Sequence, residues 1–496
     1  MGKREFETMN DNDFENMLEN SVPDGLLPEE IVNNVTPWKK AMKRILWGIA
    51  LSTVTFNFLY LNYILPAIGL ILIFFGYRAL RCENKWFNMC FIASAGRAAY
   101  FFLKLVLNTT IIKSYGVASK ILFAFDVVSS VLIVFEFFCL WRGLRTAQKK
   151  AGLPVRCGSA FMLMLWYAVL CVLSFIRYNG SVIIIMMLIG YIFIIFSVYR
   201  LSKTFDKVGY SFKTAFIRIS NKCILLILAI AIAAGATIGY LFGGRYPMKW
   251  RAADLSEHDE VESIKAHLTE LGFPEYVLDD LSAEDIKSCD GALSVVVDNS
   301  NLWHGELADG MLEMVGIGVK ISDEPHKWII FHHFVWTENP GFCGTESVHL
   351  WPIYQDISSG WISDGEISGR VLYDKDGETF IAPYHSLEET YLTYDTVLFG
   401  KQTKQTRRDI YCSFSMPKKG DNERGYVSYS VKGNSSADVI YSSMHYTHQK
   451  DRFQYPVMTA MEKRKMSENR ISGVFYTVSL RIQFYTLTPD PSTLFG

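Results

Sequence analysis

At 496 residues, half of them hydrophobic and with a net charge of −1, the chain is long enough for two to four domains. That near-zero charge averages three unlike parts. Residues 1–40 carry 9 acidic and 4 basic side chains, residues 45–245 carry 4 acidic against 20 basic, and residues 246–496 carry 37 against 23. An apolar, basic middle between two acidic parts excludes a single soluble globule, and no cofactor and no nucleic-acid partner is expected.

The first forty residues are polar and lack an apolar core with a small-residue cleavage site, so they do not read as a secretory signal. They hold two short amphipathic pieces, Asp13–Asn20 and Pro28–Val35, around Pro23, Asp24 and Gly25. Such an acidic tail fits either a solvated arm or a docking arm for a cytoplasmic partner. Thr36 followed by Pro37 is a helix start, a hydroxyl cap before the residue tolerated at the first helical position.

From Ile45 to Tyr77 there are 33 residues without a charge. One helix of that length would reach about 50 Å, against a hydrocarbon core of about 30 Å. The stretch therefore predicts a hairpin of two spans turning near Leu61 and Asn62, with Pro66 tolerated inside the second. Further apolar stretches follow at Trp86–Leu107, Ile121–Trp141, Ala160–Ile176, Val182–Tyr199 and Cys223–Phe242. Trp86–Leu107 is the ambiguous one, because it contains Arg97 and Lys104. If it crosses, 18 Lys and Arg fall on the amino-terminal side of the membrane and 6 on the other, as cytoplasmic loops require. If it does not, that bias collapses. The expectation is seven spans, with the amino terminus cytoplasmic and the carboxyl terminus extracytoplasmic in a cell membrane.

Charges at membrane depth are costly unless paired or lining water, so Arg97, Lys104, Asp126 and Glu136 are candidates for an ion pair or for a solute pathway. Lys104 and Asp126 fall at nearly equal depth, Arg97 lies about 7–8 Å deeper, and Glu136 is expected near the inner face. In the last span Ala231, Gly235, Gly239 and Gly243 form a small-residue stripe, the kind of surface along which helices associate closely in lipid.

Residues 246–291 read as a short helical connector. Its first helix is Ser256–Leu271, capped by Ser256 and stopped by Gly272, and two short turns follow at Pro274–Leu281 and Ser282–Cys289. From Ala292 to Gly496 the period changes to two. In Val474–Leu487 the residues Val474, Tyr476, Val478, Leu480, Ile482 and Phe484 share one face, and Ile410, Cys412, Phe414 and Met416 alternate likewise. Trp328–Trp336 is apolar on both faces and predicts a central strand. Asp364-Gly365 and Asp376-Gly377 are hairpin-turn signals. Nine to eleven strands are expected, arranged as a β-sandwich or jelly-roll-like domain.

No metal site is expected, since His332 and His333 are neighbours in a strand and point to opposite faces, as do His445 and His448 if their segment is a strand. Asp374–Glu378 is too short for a calcium loop, and Asn434 is a glycosylation acceptor only in a glycosylating host. The tryptophans Trp303, Trp328, Trp336, Trp351 and Trp361 form either a buried core or an exposed stacking platform. Cys289, Cys343 and Cys412, three in number, leave at most one disulfide in the soluble part. No nucleophile elbow, phosphate loop or zinc-protease motif is present, so no catalytic residue stands out. The leading function is binding or sensing by an outer domain that meets a wall, surface or protein ligand on a helical membrane anchor. The alternative is a transporter or channel that uses the four intramembrane charges.

Overall fold

A computed structural model describes residues 37–176, 178, 180–210, 212, 218–254, 260–299, 301–303, 311–355, 359–398, 401–433, 439–466 and 473–485. Side chains are described at all of these except 301–303, 392–398 and 401–405. The expectations for the tail before Pro37, the Ser256 cap, the Trp303 side chain and Asn434 lie outside the described residues. The chain forms two compact units, one of Met1–Val106 with Gly116–Gly235 and one of Leu107–Tyr115 with Ala236–Gly496.

The first unit is helical. Its helices are α1 (Pro37–Thr53), α2 (Leu61–Leu80), α3 (Lys85–Leu107), α4 (Gly116–Lys150), α5 (Gly158–Phe175), α6 (Ser181–Lys207) and most of α7 (Asn221–Phe242), which continues into the second unit. Six of them, α2 to α7, are long and apolar enough to cross a membrane. Among the described residues α1 is the exception. Lys39, Lys40, Lys43 and Arg44 make it amphipathic, and at 17 residues it is about 25 Å long. Its apolar stripe of Trp38, Met42, Ile45 and Ile49 is fully buried, with Trp38 ringed by Phe87, Phe205, Tyr210 and Phe212. The hairpin within 45–77 turns earlier than expected, through 54–60, where Leu59 and Tyr60 take positive φ. It brings α1 and α2 together backbone to backbone, since a Cβ on Gly48 would sit 2.6 Å from the Gly69 carbonyl oxygen.

The second unit is built on two antiparallel sheets, with fourteen strands among the described residues. The first sheet has the order β1-β9-β8-β12-β5-β4-β2, with β7 also on β12; its strands are β1 (Arg251–Ala252), β2 (Ser294–Asp298), β4 (Leu312–Asp323), β5 (His326–Trp336), β7 (Trp361–Ser363), β8 (Ser368–Lys375), β9 (Glu378–Pro383) and β12 (Asp421–Gly433). The second has the order β10-β11-β6-β13-β14-β3, from β3 (Asn301–Trp303), β6 (Glu346–Trp351), β10 (Ser386–Leu398), β11 (Lys401–Phe414), β13 (Val439–Gln449) and β14 (Phe475–Tyr485). One apolar core takes side chains from both, including Trp328, Trp336 and Trp361 from the first and Cys412, Phe414, Tyr446 and Phe484 from the second. Strand β5 is central, between β12 and β4.

The outer face of the first sheet is covered by α8 (Glu262–Glu270), α9 (Glu275–Leu278) and α10 (Ala283–Lys287). Val261, Leu268, Val277 and Ile286 make a second apolar core there against Ile317, Ile329 and Phe331. Ser282 caps α10 by accepting the Asp285 N–H. Helix α11 (Ala460–Met466) packs on β6, β11 and β13. Asp376 and Gly377 both take positive φ in the β8–β9 hairpin, as a type I′ turn needs. Asp364-Gly365 is not a hairpin turn, because β7 and β8 each pair with β12 instead of with one another. The Asp364 carboxylate instead meets Lys327 at 3.1 Å and Lys432 at 3.3 Å.

Candidate functional site

Helix α3 carries Arg97, Tyr100 and Lys104 at spacings of three, four and seven, which bring them to one face. Helix α4 supplies the acids. Lys104 Nζ donates to Asp126 Oδ1 at 2.7 Å and Tyr100 Oη donates to the same oxygen at 2.8 Å. Both charged side chains of this pair are nearly half exposed. Arg97 finds Glu136, not Asp126: Nη1 lies 2.6 Å from Oε2, and both side chains are buried. Glu136 meets α3 at its middle, and α4 continues past Trp141 for nine residues to Lys150. Around it are buried Tyr77, Cys139 and Cys90, whose Sγ donates to the Glu136 carbonyl at 3.4 Å. Glu136 Oε1 and Tyr77 Oη have no hydrogen-bond partner among the described residues.

The small-residue stripe of α7 divides between the units. In the first, a Cβ on Gly235 would lie 2.9 Å from Val106. In the second, Gly239 faces Thr109, and a Cβ on Gly243 would lie 2.6 Å from Thr110.

Opposite alternate faces of β5 carry His332 and His333. His332 points into the space between the sheets, where Nε2 lies 2.9 Å from Ser442 Oγ and burial pulls the ring down to about 3, so it stays neutral. His333 points outward, and its Nε2 is 2.8 Å from Asp280 Oδ2. Arg424 Nε donates to the other oxygen of Asp280 at 2.7 Å, while Arg370 holds the backbone carbonyls of Asp280 and Leu281. Burial raises the Asp280 carboxyl, but His333 and Arg424 outweigh it and leave it below its ordinary range.

His333 is part of the lining of a cavity of about 120 Å³, with Tyr276, Asn299, Glu313, Met314, Val315 and Val335. Register explains the set: Glu313 pairs with Val335 and Val315 with His333 across β4 and β5, so all four side chains lie on the face under α9. The Tyr276 ring stands edge-on to His333 at 5.8 Å. The His333 Nε2 is committed to Asp280, and the ring as a whole is buried at the cavity wall. The site thus brings a carboxylate, a phenol and an amide together beside the buried imidazole, over a valine floor.

A second network lies on the outer face of the second sheet, under α11. Arg464 Nε donates to His349 Nδ1 at 2.9 Å, which sends the other ring proton to Asp409 Oδ2 at 2.8 Å. Arg407 also meets Asp409, at 2.7 Å. Burial and the neighbouring arginines hold His349 well below its ordinary value. His448 Nδ1 meets Glu346 at 2.9 Å in the core, where burial raises the Glu346 carboxyl. Among the described residues no three His, Cys, Asp or Glu are grouped to hold a metal ion, and all nine cysteines are free.

Lys104 and Asp126 were paired by depth in the sequence, whereas the histidine pairings of the second unit had no sequence signal. Asp280 and His333 are 53 residues apart, and no spacing rule joins a connector turn to a strand interior.

Compared with known proteins, the sequence matches no protein-family profile and no curated relative. Among solved structures, one titled "Pore forming protein" aligns over 38% of this chain and 90% of its own, at 8% identity and a TM-score of 0.19, a likeness too slight to bear on fold or activity.

Proposed function

We propose that this membrane protein presents its two-sheet domain, read as a β-sandwich, outside the cytoplasm as a binding or sensing module. The observation that supports this is the cavity beside His333, whose base is held rigid by Asp280, Arg424 and Arg370 while Glu313, Asn299 and Tyr276 stand at its rim. A fixed base with adaptable rim groups suits recognition of a small polar group on a surface, wall or protein ligand. With one rim carboxylate and no lysine or arginine in the lining, that group bears hydroxyls or an ammonium, not an anion. In this reading α1 counts as a seventh, shorter crossing antiparallel to α2, the amino-terminal tail is cytoplasmic, and the carboxyl terminus is outside. The test is thermal shift of the purified full chain against a panel of amino sugars, polyols and amines. A ligand that stabilises the wild type, but not Glu313→Gln or Tyr276→Phe of unchanged basal melting, supports the module. Equal shifts in all three proteins would reject this cavity as the site.

A second reading, a solute or ion pathway through the helices, draws support from the unpartnered Glu136 Oε1 and Tyr77 Oη beside the Arg97 pair. Flux in proteoliposomes that Glu136→Gln abolishes without loss of fold would favour it. Absence of flux in the wild type would remove it.

A further inference from the structure

The second unit holds another cleft, at the carboxyl end of α7, lined by Thr109, Tyr240, Gly244, Arg245, Cys343, Lys418, Gln449, Arg452 and Val457. Three of these are cations, and none of Arg245, Lys418 or Arg452 makes an ion pair among the described residues. Arg245 is partly buried, and that burial lowers the affinity of its guanidinium for its proton, with Arg452 acting in the same direction. Glu346 attracts Arg245 from a distance and opposes the effect of burial, but among the described residues no acid makes direct contact with the three cations. Glu346 is engaged by His448 in the core, and Asp451 Oδ1 accepts the Phe453 N–H at 2.9 Å. Partly desolvated like charges without a carboxylate are a cost unless an anion completes the set.

What the cleft adjoins narrows the anion. Arg245 comes three residues after Phe242, the last residue of an apolar span, which is 79% exposed. Phe453, 72% exposed, contacts the Tyr240 ring at 5.8 Å, and Tyr240 donates to the Gln454 carbonyl at 2.9 Å. A tyrosine at the end of a span marks the level of lipid headgroups, and the exposed phenylalanines beside it suit the adjoining acyl chains. The loop 450–456 is thereby tied to the span at that depth, and it carries Arg452 with it.

We propose that Arg245, Arg452 and Lys418 seat the phosphodiester headgroup of an anionic phospholipid at the end of the last span. The cleft itself has room for about one water, about 10 Å³, so the phosphate sits at its mouth between the two guanidiniums and the exposed Lys418, with Tyr240 and Phe453 along the upper acyl chains. The site is independent of the cavity beside His333 and of any ligand bound there.

The test uses the full chain in nanodiscs of equal phosphatidylglycerol and phosphatidylcholine, followed by delipidation and a count of the lipid retained per protein. Wild type should keep phosphatidylglycerol over phosphatidylcholine, and Arg245→Gln/Arg452→Gln should lose that preference roughly ten-fold, as expected for charge-assisted hydrogen bonds. Lys249→Gln/Lys450→Gln removes the same charge from exposed positions outside the cleft and should leave retention unchanged. Should the double glutamine variant fail to fold, Arg452→Lys, which keeps the charge and loses the bidentate fork, should weaken retention without abolishing it. Equal loss in the Lys249/Lys450 control, or no lipid preference in wild type, would overturn the proposal. Displacement of the lipid by millimolar inorganic phosphate would also overturn it, by assigning the site to free phosphate.

Discussion

At the scale of residues, the two ion pairs between α3 and α4 differ in environment and so in what their loss should do. Arg97 and Glu136 are both buried, and removing one leaves an uncompensated charge. Arg97→Leu should destabilise the protein by about 3–5 kcal/mol, whereas Arg97→Leu with Glu136→Leu should recover most of it. Melting in detergent measures both, and an additive double variant would contradict the pairing. Lys104 and Asp126 are nearly half exposed, so Lys104→Met should lower the melting temperature far less than Arg97→Leu. In the second unit Glu423 is buried beside Asn339, with Asp421 and Asp374 near, and burial first of all pushes its carboxyl from 4.5 to about 7. A carboxyl raised on folding binds its proton more tightly in the folded state. Its stabilising share is therefore complete below about pH 4.5 and is lost as pH rises towards 7. Glu423→Gln should flatten the fall in melting temperature between pH 5 and pH 7; an unchanged slope would assign that fall to other groups.

At the scale of elements, the packing of α1 on α2 depends on the absence of a side chain. Gly48→Leu should separate the two helices, because its Cβ would meet the Gly69 carbonyl oxygen at 2.6 Å and the α2 backbone cannot yield locally. A cost of about 1–3 kcal/mol is expected, while Gly190→Ala, with open space around it, should be near neutral. Comparable melting of the two variants would refute the close approach. The turn β8–β9 makes a matching prediction: Gly377→Val, forced into positive φ, should destabilise the second unit more than Asp376→Gly does. These elements were legible to different degrees. The period-two run of 474–487 appears as β14, and the charge-free 33 residues appear as a helical hairpin, because one period or one composition dominates each. The reach of α4 to Lys150 was not legible, since its last two turns are polar and lose the apolar signal while keeping helical backbone.

At the scale of the whole molecule, six helices fit to cross a membrane precede a domain of two antiparallel sheets. The seven-crossing reading makes a direct prediction. In intact cells or spheroplasts, external protease should remove a carboxyl-terminal tag while a cytoplasmic marker survives. Protection of the tag until the membrane is broken would mean an even number of crossings with a cytoplasmic amino terminus, and would move the search for ligands of the second unit to the cytoplasm.

Local chemistry determined the broad plan, because hydropathy over about twenty residues and alternation over about ten are properties of contiguous sequence. From them came the apolar spans, the change to β-structure after residue 291 and the Asp376-Gly377 turn. Only the tertiary structure decided which charges meet. Arg97 chooses Glu136 over Asp126, His333 and Arg424 are joined through Asp280, and Arg245 is brought beside Arg452, 207 residues further along the chain. Such pairings follow from strand order, register and helix reach, which are set by the burial of the whole core and leave no trace in the spacing of the residues that they bring together.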